Sequence, residues 1–150
     1  MTGRILGLDP GERRIGVALS DPTGTIAMPL TVIDTKKTDF ETELIAICVG
    51  NDVRKIVVGL PVTLAGTEGA SAAMARRIAA EAAAASGLRV EMHDERLTSV
   101  IADKALLEGD VDRRRRRDTR DKVAAAILLQ AYLDGRKRRE HPSNGDPART

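Results

Sequence analysis

The sequence predicts an α/β domain built on a five-stranded mixed sheet, an antiparallel meander continued by parallel strands and flanked by helices. Three observations predict it. Before position 34 the chain carries three short Val, Ile and Leu runs separated by turn residues. Beyond it, apolar runs at 55–59 and 88–93 alternate with stretches of helical spacing. The resulting order β-β-β-α-β-α-β-α-α puts crossover helices between strands, which lets them lie side by side in the same direction.

Each element has a local reason. Arg4 to Asp9 and Arg14 to Ser20 form a hairpin, because Pro10 and Gly11 favour a turn over a continuing strand. Ile15, Val17 and Leu19 alternate with Arg14, Gly16, Ala18 and Ser20 at the period of a half-buried strand. Asp9 leaves the sheet where the backbone bends, and an acid held there is both fixed and accessible, as a metal ligand or general base must be. The position equally suits an Asp that hydrogen-bonds the turn backbone. Ile26 to Ile33 is a third strand after the turn Asp21-Pro-Thr-Gly24. Thr38 to Val49 is helical, with Phe40, Leu44 and Ile47 near one face and Thr38 as N-cap, Glu41 following three residues later.

Lys55 to Gly59 is a strand ended by Leu60-Pro61. Ser71 to Ser86 is helical through its alanines, with Met74, Ile78 and Ala82 on one stripe and Gly87 as the stop. Leu88 to His93 is the fifth strand, and a helix follows from Thr98 to Leu107. The run Arg113, Arg114, Arg115, Arg116 and Arg117 reads as a solvated loop, since adjacent like charges repel. The last helix then runs from about Thr119 to Arg136. Residues 1–138 form one domain, and 139–150, lacking any core-forming pattern, are expected to be a disordered tail.

A chain of 150 residues supports an ordinary core without staples. Phe40 and Tyr132 are its only aromatic residues, so the core is built from Ala, Val, Ile and Leu, and base stacking on aromatic side chains is disfavoured. No export signal and no apolar run of the ~20 residues that cross a bilayer is present, which predicts a cytoplasmic protein with no membrane partner. Cys48, the single cysteine, excludes an internal disulfide or a multi-cysteine metal site. It reads as a small buried hydrophobe, the alternative being a thiol that cross-links two copies. The net charge of +2 hides a polarity: residues 113–139 hold eleven Lys or Arg against three Asp, a balance of +8 that leaves −6 elsewhere. An acidic body with a basic band can bring a polyanion to a carboxylate site.

Two further acids join Asp9. Glu95 ends the fifth strand much as Asp9 ends the first. Asp121 shares a helix face with Ala125, Leu128 and Tyr132, so it points where the apolar residues point. An acid on a packing face needs a hydrogen bond, a basic partner or a cation; interaction with the helix dipole is the plainer explanation. Three converging carboxylates without His or Cys make an oxygen-only site suited to one or two Mg²⁺ or Mn²⁺ ions, which activate water and stabilise charge on a scissile phosphate.

Four blocks carry a family resemblance: Gly7-Leu-Asp-Pro-Gly-Glu-Arg-Arg-Ile-Gly-Val-Ala-Leu-Ser-Asp21, Val58-Gly-Leu-Pro61, Asp94-Glu-Arg-Leu-Thr98 and Asp121-Lys-Val-Ala-Ala-Ala-Ile-Leu-Leu-Gln-Ala-Tyr-Leu-Asp134. In this order they resemble the YqgF family, also called RuvX, of pre-16S ribosomal RNA nucleases, over residues 3 to about 135. The resemblance implies a ribonuclease H-like fold, a divalent-metal nuclease site with Asp9, Glu95 and Asp121 in the three acidic positions, and action on structured RNA at the 5′ end of 16S ribosomal RNA. Through the related Holliday junction resolvases it also implies branched DNA as a substrate, cut by a homodimer. A fourth carboxylate, used by many nucleases of this fold, would come from Asp94 or Asp118.

Arg13, Arg14 and Arg96 beside the acids are expected to hold phosphate oxygens, with Arg113 to Arg117 and Arg120 extending the nucleic-acid contact. Surface ion pairs and a merely solvated loop are the plain alternatives. His93 is expected to face the core, and Gly59 and Pro61 to shape a loop at the cleft. Two rival classes remain open on sequence: an ATP-binding module of the actin-like type, for which the chain lacks a second lobe, and a nucleic-acid-binding factor without catalytic activity.

Overall fold

A computed structural model describes residues 3–61, 68–95 and 113–140, with side chains at 113–117 and 138–140 excepted. Five strands, β1 (Arg4–Asp9), β2 (Arg14–Ser20), β3 (Ala27–Asp34), β4 (Val53–Leu60) and β5 (Arg89–Asp94), form one sheet in the order β3-β2-β1-β4-β5. β1, β2 and β3 are antiparallel neighbours, while β1, β4 and β5 run parallel, so the expected mixed sheet is what forms. Helices α1 (Phe40–Gly50) and α2 (Ala70–Ser86) cover one face, and α3 (Arg113–Glu140) covers the other. This is a ribonuclease H-like α/β arrangement.

Strand alternation sorts the core into two layers. Leu6, Leu8, Ile15, Val17, Ile56 and Val58 pack toward α1 and α2. Ile5, Ala18 and Val57 pack toward Ala125, Leu129, Tyr132 and Leu133 of α3. β2 is therefore buried on both faces rather than half-buried, because α3 closes over its small residues Gly16 and Ala18. Gln130 fastens the helix across the sheet: its Oε1 accepts from the Ala27 N–H at 2.8 Å and its Nε2 donates to the Thr25 carbonyl at 2.9 Å.

Two local expectations are corrected. The N-cap of α1 is Asp39, not Thr38: the Asp39 carboxylate accepts from the Thr42 N–H at 3.0 Å, whereas the Thr38 hydroxyl turns back to the Asp34 carbonyl. Residues 113–117 are the opening turns of α3, not a loop. Arginine is a good helix former, and successive side chains project about 100° apart on a helix, which relieves the repulsion between sequence neighbours. Cys48 is buried as expected, and burial raises its thiol pKa. Gly87 ends α2 with φ 71°, as its position foretold. The pairing of the edge strand β3 with β2 shifts register between Val17 and Ala18 of β2, which pair with Thr31 and Pro29, and Met28 of β3 is 62% exposed. The expected helix from Thr98 to Leu107 and the tail from 141 onward lie outside the described residues.

Candidate functional site

Asp9 is the last residue of β1 and is 7% exposed. Its register partner on β2 is Gly16. On the other side β4 runs parallel with Leu8 paired to Val58, which brings Gly59 alongside Asp9. A side chain at Gly16 would meet the Asp121 backbone, with its Cβ 2.7 Å from the Asp121 carbonyl carbon and 3.4 Å from the Ala125 Cβ. One at Gly59 would meet Leu128 and the Glu95 carboxylate, with Oε1 3.1 Å away. Asp121 and Glu95 thus flank Asp9 on the face of the sheet that α3 covers, at the C-terminal ends of the parallel strands, where open α/β sheets place ligands. Gly59 belongs to β4 itself, where it makes room for the Glu95 carboxylate.

The donor set is hard and oxygen-only, which fits Mg²⁺ or Mn²⁺ and not a thiophilic metal. Among the described residues, no three His, Cys, Asp or Glu side chains stand close enough to hold a metal ion as they are. The backbone brings the three acids to one face of the sheet. Asp94 alternates with Glu91 and His93 along β5 and so belongs to the opposite face, beside Met92. Asp118 faces Arg14, 3.5 Å from its Nε.

The basic residues are distributed around this centre. Arg13 lies 3.3 Å from Asp34, whose carboxyl is held below the usual range: burial works against this, but the Lys36 N–H and the Arg13 guanidinium outweigh it. Arg14 tethers the start of α3 through Asp118. Each pair has one partly exposed partner, and surface ion pairs of this kind add little to stability. Arg120 is half-buried one residue before Asp121. Arg96 and the side chains of Arg113 to Arg117 lie outside the described residues.

A second polar group lies on the same face behind the acids. Tyr132, Glu91, Lys55 and His93 meet between α3, β4 and β5, the His93 ring edge-on to Tyr132 at 6.0 Å. His93 therefore faces the α3 layer of the core. Sequence reasoning passed over Glu91 and Lys55, although both sit at alternate strand positions leading toward the acids.

A family model described as RuvX, Holliday junction resolvase, matches residues 3–135. The chain belongs to the RuvX family. RuvX relatives span it almost completely. A protein of Pelotomaculum thermopropionicum is 48% identical over 141 residues, covering 91% of this chain and 92% of its own. One of Myxococcus xanthus is 39% identical over 149 residues, covering 95% and 97%. Both bear the name "Putative pre-16S rRNA nuclease". Among solved structures, Thermus thermophilus RuvC in complex with Holliday junction substrate matches with a TM-score of 0.56 at 16% identity, over 89% of this chain and 96% of that one. At that identity the likeness is one of fold. Among the described residues no helix is long and apolar enough to cross a membrane.

Proposed function

We propose that this RuvX-family chain is a divalent-metal-dependent endonuclease that hydrolyses phosphodiester bonds in the 5′-end processing of pre-16S ribosomal RNA. The observation that carries the reading is the placement of Asp9 between Gly16, beneath the Asp121 backbone, and Gly59, beneath the Glu95 carboxylate. The names borne by its full-length relatives support the substrate.

Asp9, Glu95 and Asp121 would hold one or two Mg²⁺ or Mn²⁺ ions, whose chemistry is to neutralise charge on the scissile phosphate and lower the pKa of water. Arg14, which pairs with Asp118, and Arg120, which precedes Asp121 in sequence, together with Arg13 and Arg96, would orient the phosphate backbone. The arginine turns of α3 extend that grip beyond the cleft.

A second reading, resolution of branched DNA by a homodimer, is favoured by the description of the family model and the shared fold with RuvC. One experiment separates them: a ribosomal RNA precursor and a four-way DNA junction are each incubated with wild type and Asp9→Asn, in Mg²⁺, Mn²⁺ or chelator. The proposal expects the RNA to be cut, metal to be required and the variant to be inactive. Cutting confined to the junction favours the second reading, and cleavage in chelator sinks both. Binding of RNA without cleavage by either protein marks a non-catalytic factor.

A further inference from the structure

We propose that Gly16 and Gly59 are positioning residues for the acidic site: by presenting bare backbone to α3 they set how near Asp121 and Glu95 come to Asp9. The inference rests on the reading of these acids as a divalent-metal site.

Backbone conformation does not explain either glycine. Among the described glycines only Gly24 and Gly87 have positive φ, so Gly16 and Gly59 adopt dihedrals open to any residue. What they supply is space. A Cβ on Gly16 would fall well inside 3.0 Å of the Asp121 carbonyl oxygen, a separation that real Cβ atoms essentially never show, and the obstacle is backbone. Even alanine would lift the first turns of α3 away from β2. Asp121 would rise with them, directly above the register partner of Asp9. At Gly59 the nearest atom, Leu128 Cδ2 at 2.8 Å, ends a flexible side chain and can yield, but Glu95 Oε1 at 3.1 Å must shift as well. Substitution there moves the carboxylate more than the fold.

Gly7 is the internal control. It also lets α3 approach, its Cβ position lying 2.9 Å from the Leu129 Cβ. Leu129 is eight residues, about 12 Å, along the helix from Asp121. Crowding there presses on Leu129 in the buried layer, about two helical turns beyond Asp121, while Gly7 precedes Asp9 by two residues on β1.

The test is a Mn²⁺ titration read by the electron paramagnetic resonance of the free ion, with thermal unfolding alongside, for wild type, Gly16→Ala, Gly59→Ala and Gly7→Ala. Gly16→Ala and Gly59→Ala should weaken Mn²⁺ binding about tenfold to hundredfold, the usual effect of disturbing what orients a ligand. Gly7→Ala should lower the unfolding temperature and leave the affinity at its wild-type value. The proposal is overturned if both site variants bind as wild type does, or if Gly7→Ala loses as much affinity as they do. Should Gly16→Ala fail to fold, Gly59→Ala decides alone. A wild type that binds no Mn²⁺ refutes the metal-site reading itself and takes this proposal with it.

Discussion

The Tyr132 hydroxyl donates a 2.7 Å hydrogen bond to Glu91 Oε2 and so ties α3 to the far strand of the sheet, β5. Glu91 also accepts from Lys55 Nζ at 2.8 Å, and Lys55 lies 5.2 Å from the Tyr132 ring centre. Removing the donor with Tyr132→Phe should cost about 1–2 kcal/mol, measured by urea unfolding, since the acceptor is charged and the site partly buried.

The same carboxylate makes a pH prediction. Burial alone would raise the Glu91 pKa, but hydrogen bonds from Lys55 and Tyr132 outweigh it, and the net direction is downward from 4.5. A depressed folded-state pKa contributes stability that is present above 4.5 and lost as pH falls through the lower, folded value. The stability difference between wild type and Glu91→Gln should therefore be flat above about pH 5.5 and shrink below 4.5. A difference that grows on acidification would contradict the assignment.

Ser20 makes the inner seam of the hairpin polar. Its buried Oγ accepts from the Ile5 N–H at 2.8 Å and donates to the Asp21 carbonyl at 2.9 Å. Ser20→Ala strands the Ile5 donor away from water, so a loss of about 1–3 kcal/mol is expected, with faster amide exchange at Ile5.

Two glycines at helix ends should respond with opposite sign. Gly87 has φ 71° and open space around its Cβ position, so Gly87→Ala suffers only the left-handed conformation, about 1–2 kcal/mol. Gly50 ends α1 with open space and no positive φ, and Gly50→Ala should stabilise by about 0.5 kcal/mol. Paired thermal melts of the two variants check both signs.

Replacing Arg113 to Arg117 with Ala should flatten the salt dependence of nucleic-acid binding, each lost phosphate contact removing about 0.7–0.9 from the logarithmic slope. Alanine preserves helical propensity, so circular dichroism should be unchanged. An unaltered slope would assign the run to α3 stability alone.

Much of this was legible in the residues because strand period and turn chemistry are local. Pro10-Gly11 fixes the hairpin, the hairpin fixes where Asp9 emerges, and the Asp121-Ala125-Leu128-Tyr132 stripe fixes which face of α3 is buried. Other features turn on tertiary approach. Gly16 looked like one more small member of an alternating strand, and only the descent of α3 reveals that a carbonyl occupies the place of its side chain. The signal was present in principle, since glycine inside a β-branched strand marks close approach of another backbone. Thr38 and Asp39 both have capping side chains, and the Thr38 hydroxyl is engaged by the Asp34 carbonyl while the Asp39 carboxylate caps α1. The arginine run is helical because a helix spreads sequence neighbours around its axis, which relieves the repulsion that argues for a loop.

The margin formed by β3 bears on behaviour at high concentration. Met28 and Ile26 offer adhesive apolar surface at the rim, a liability for any protein crowded along a polyanion. Pro29 withholds a backbone donor, and the adjoining register break interrupts the ladder, so an incoming chain finds no regular template to extend. That rim is guarded against fibril growth by the same irregularity that deforms it.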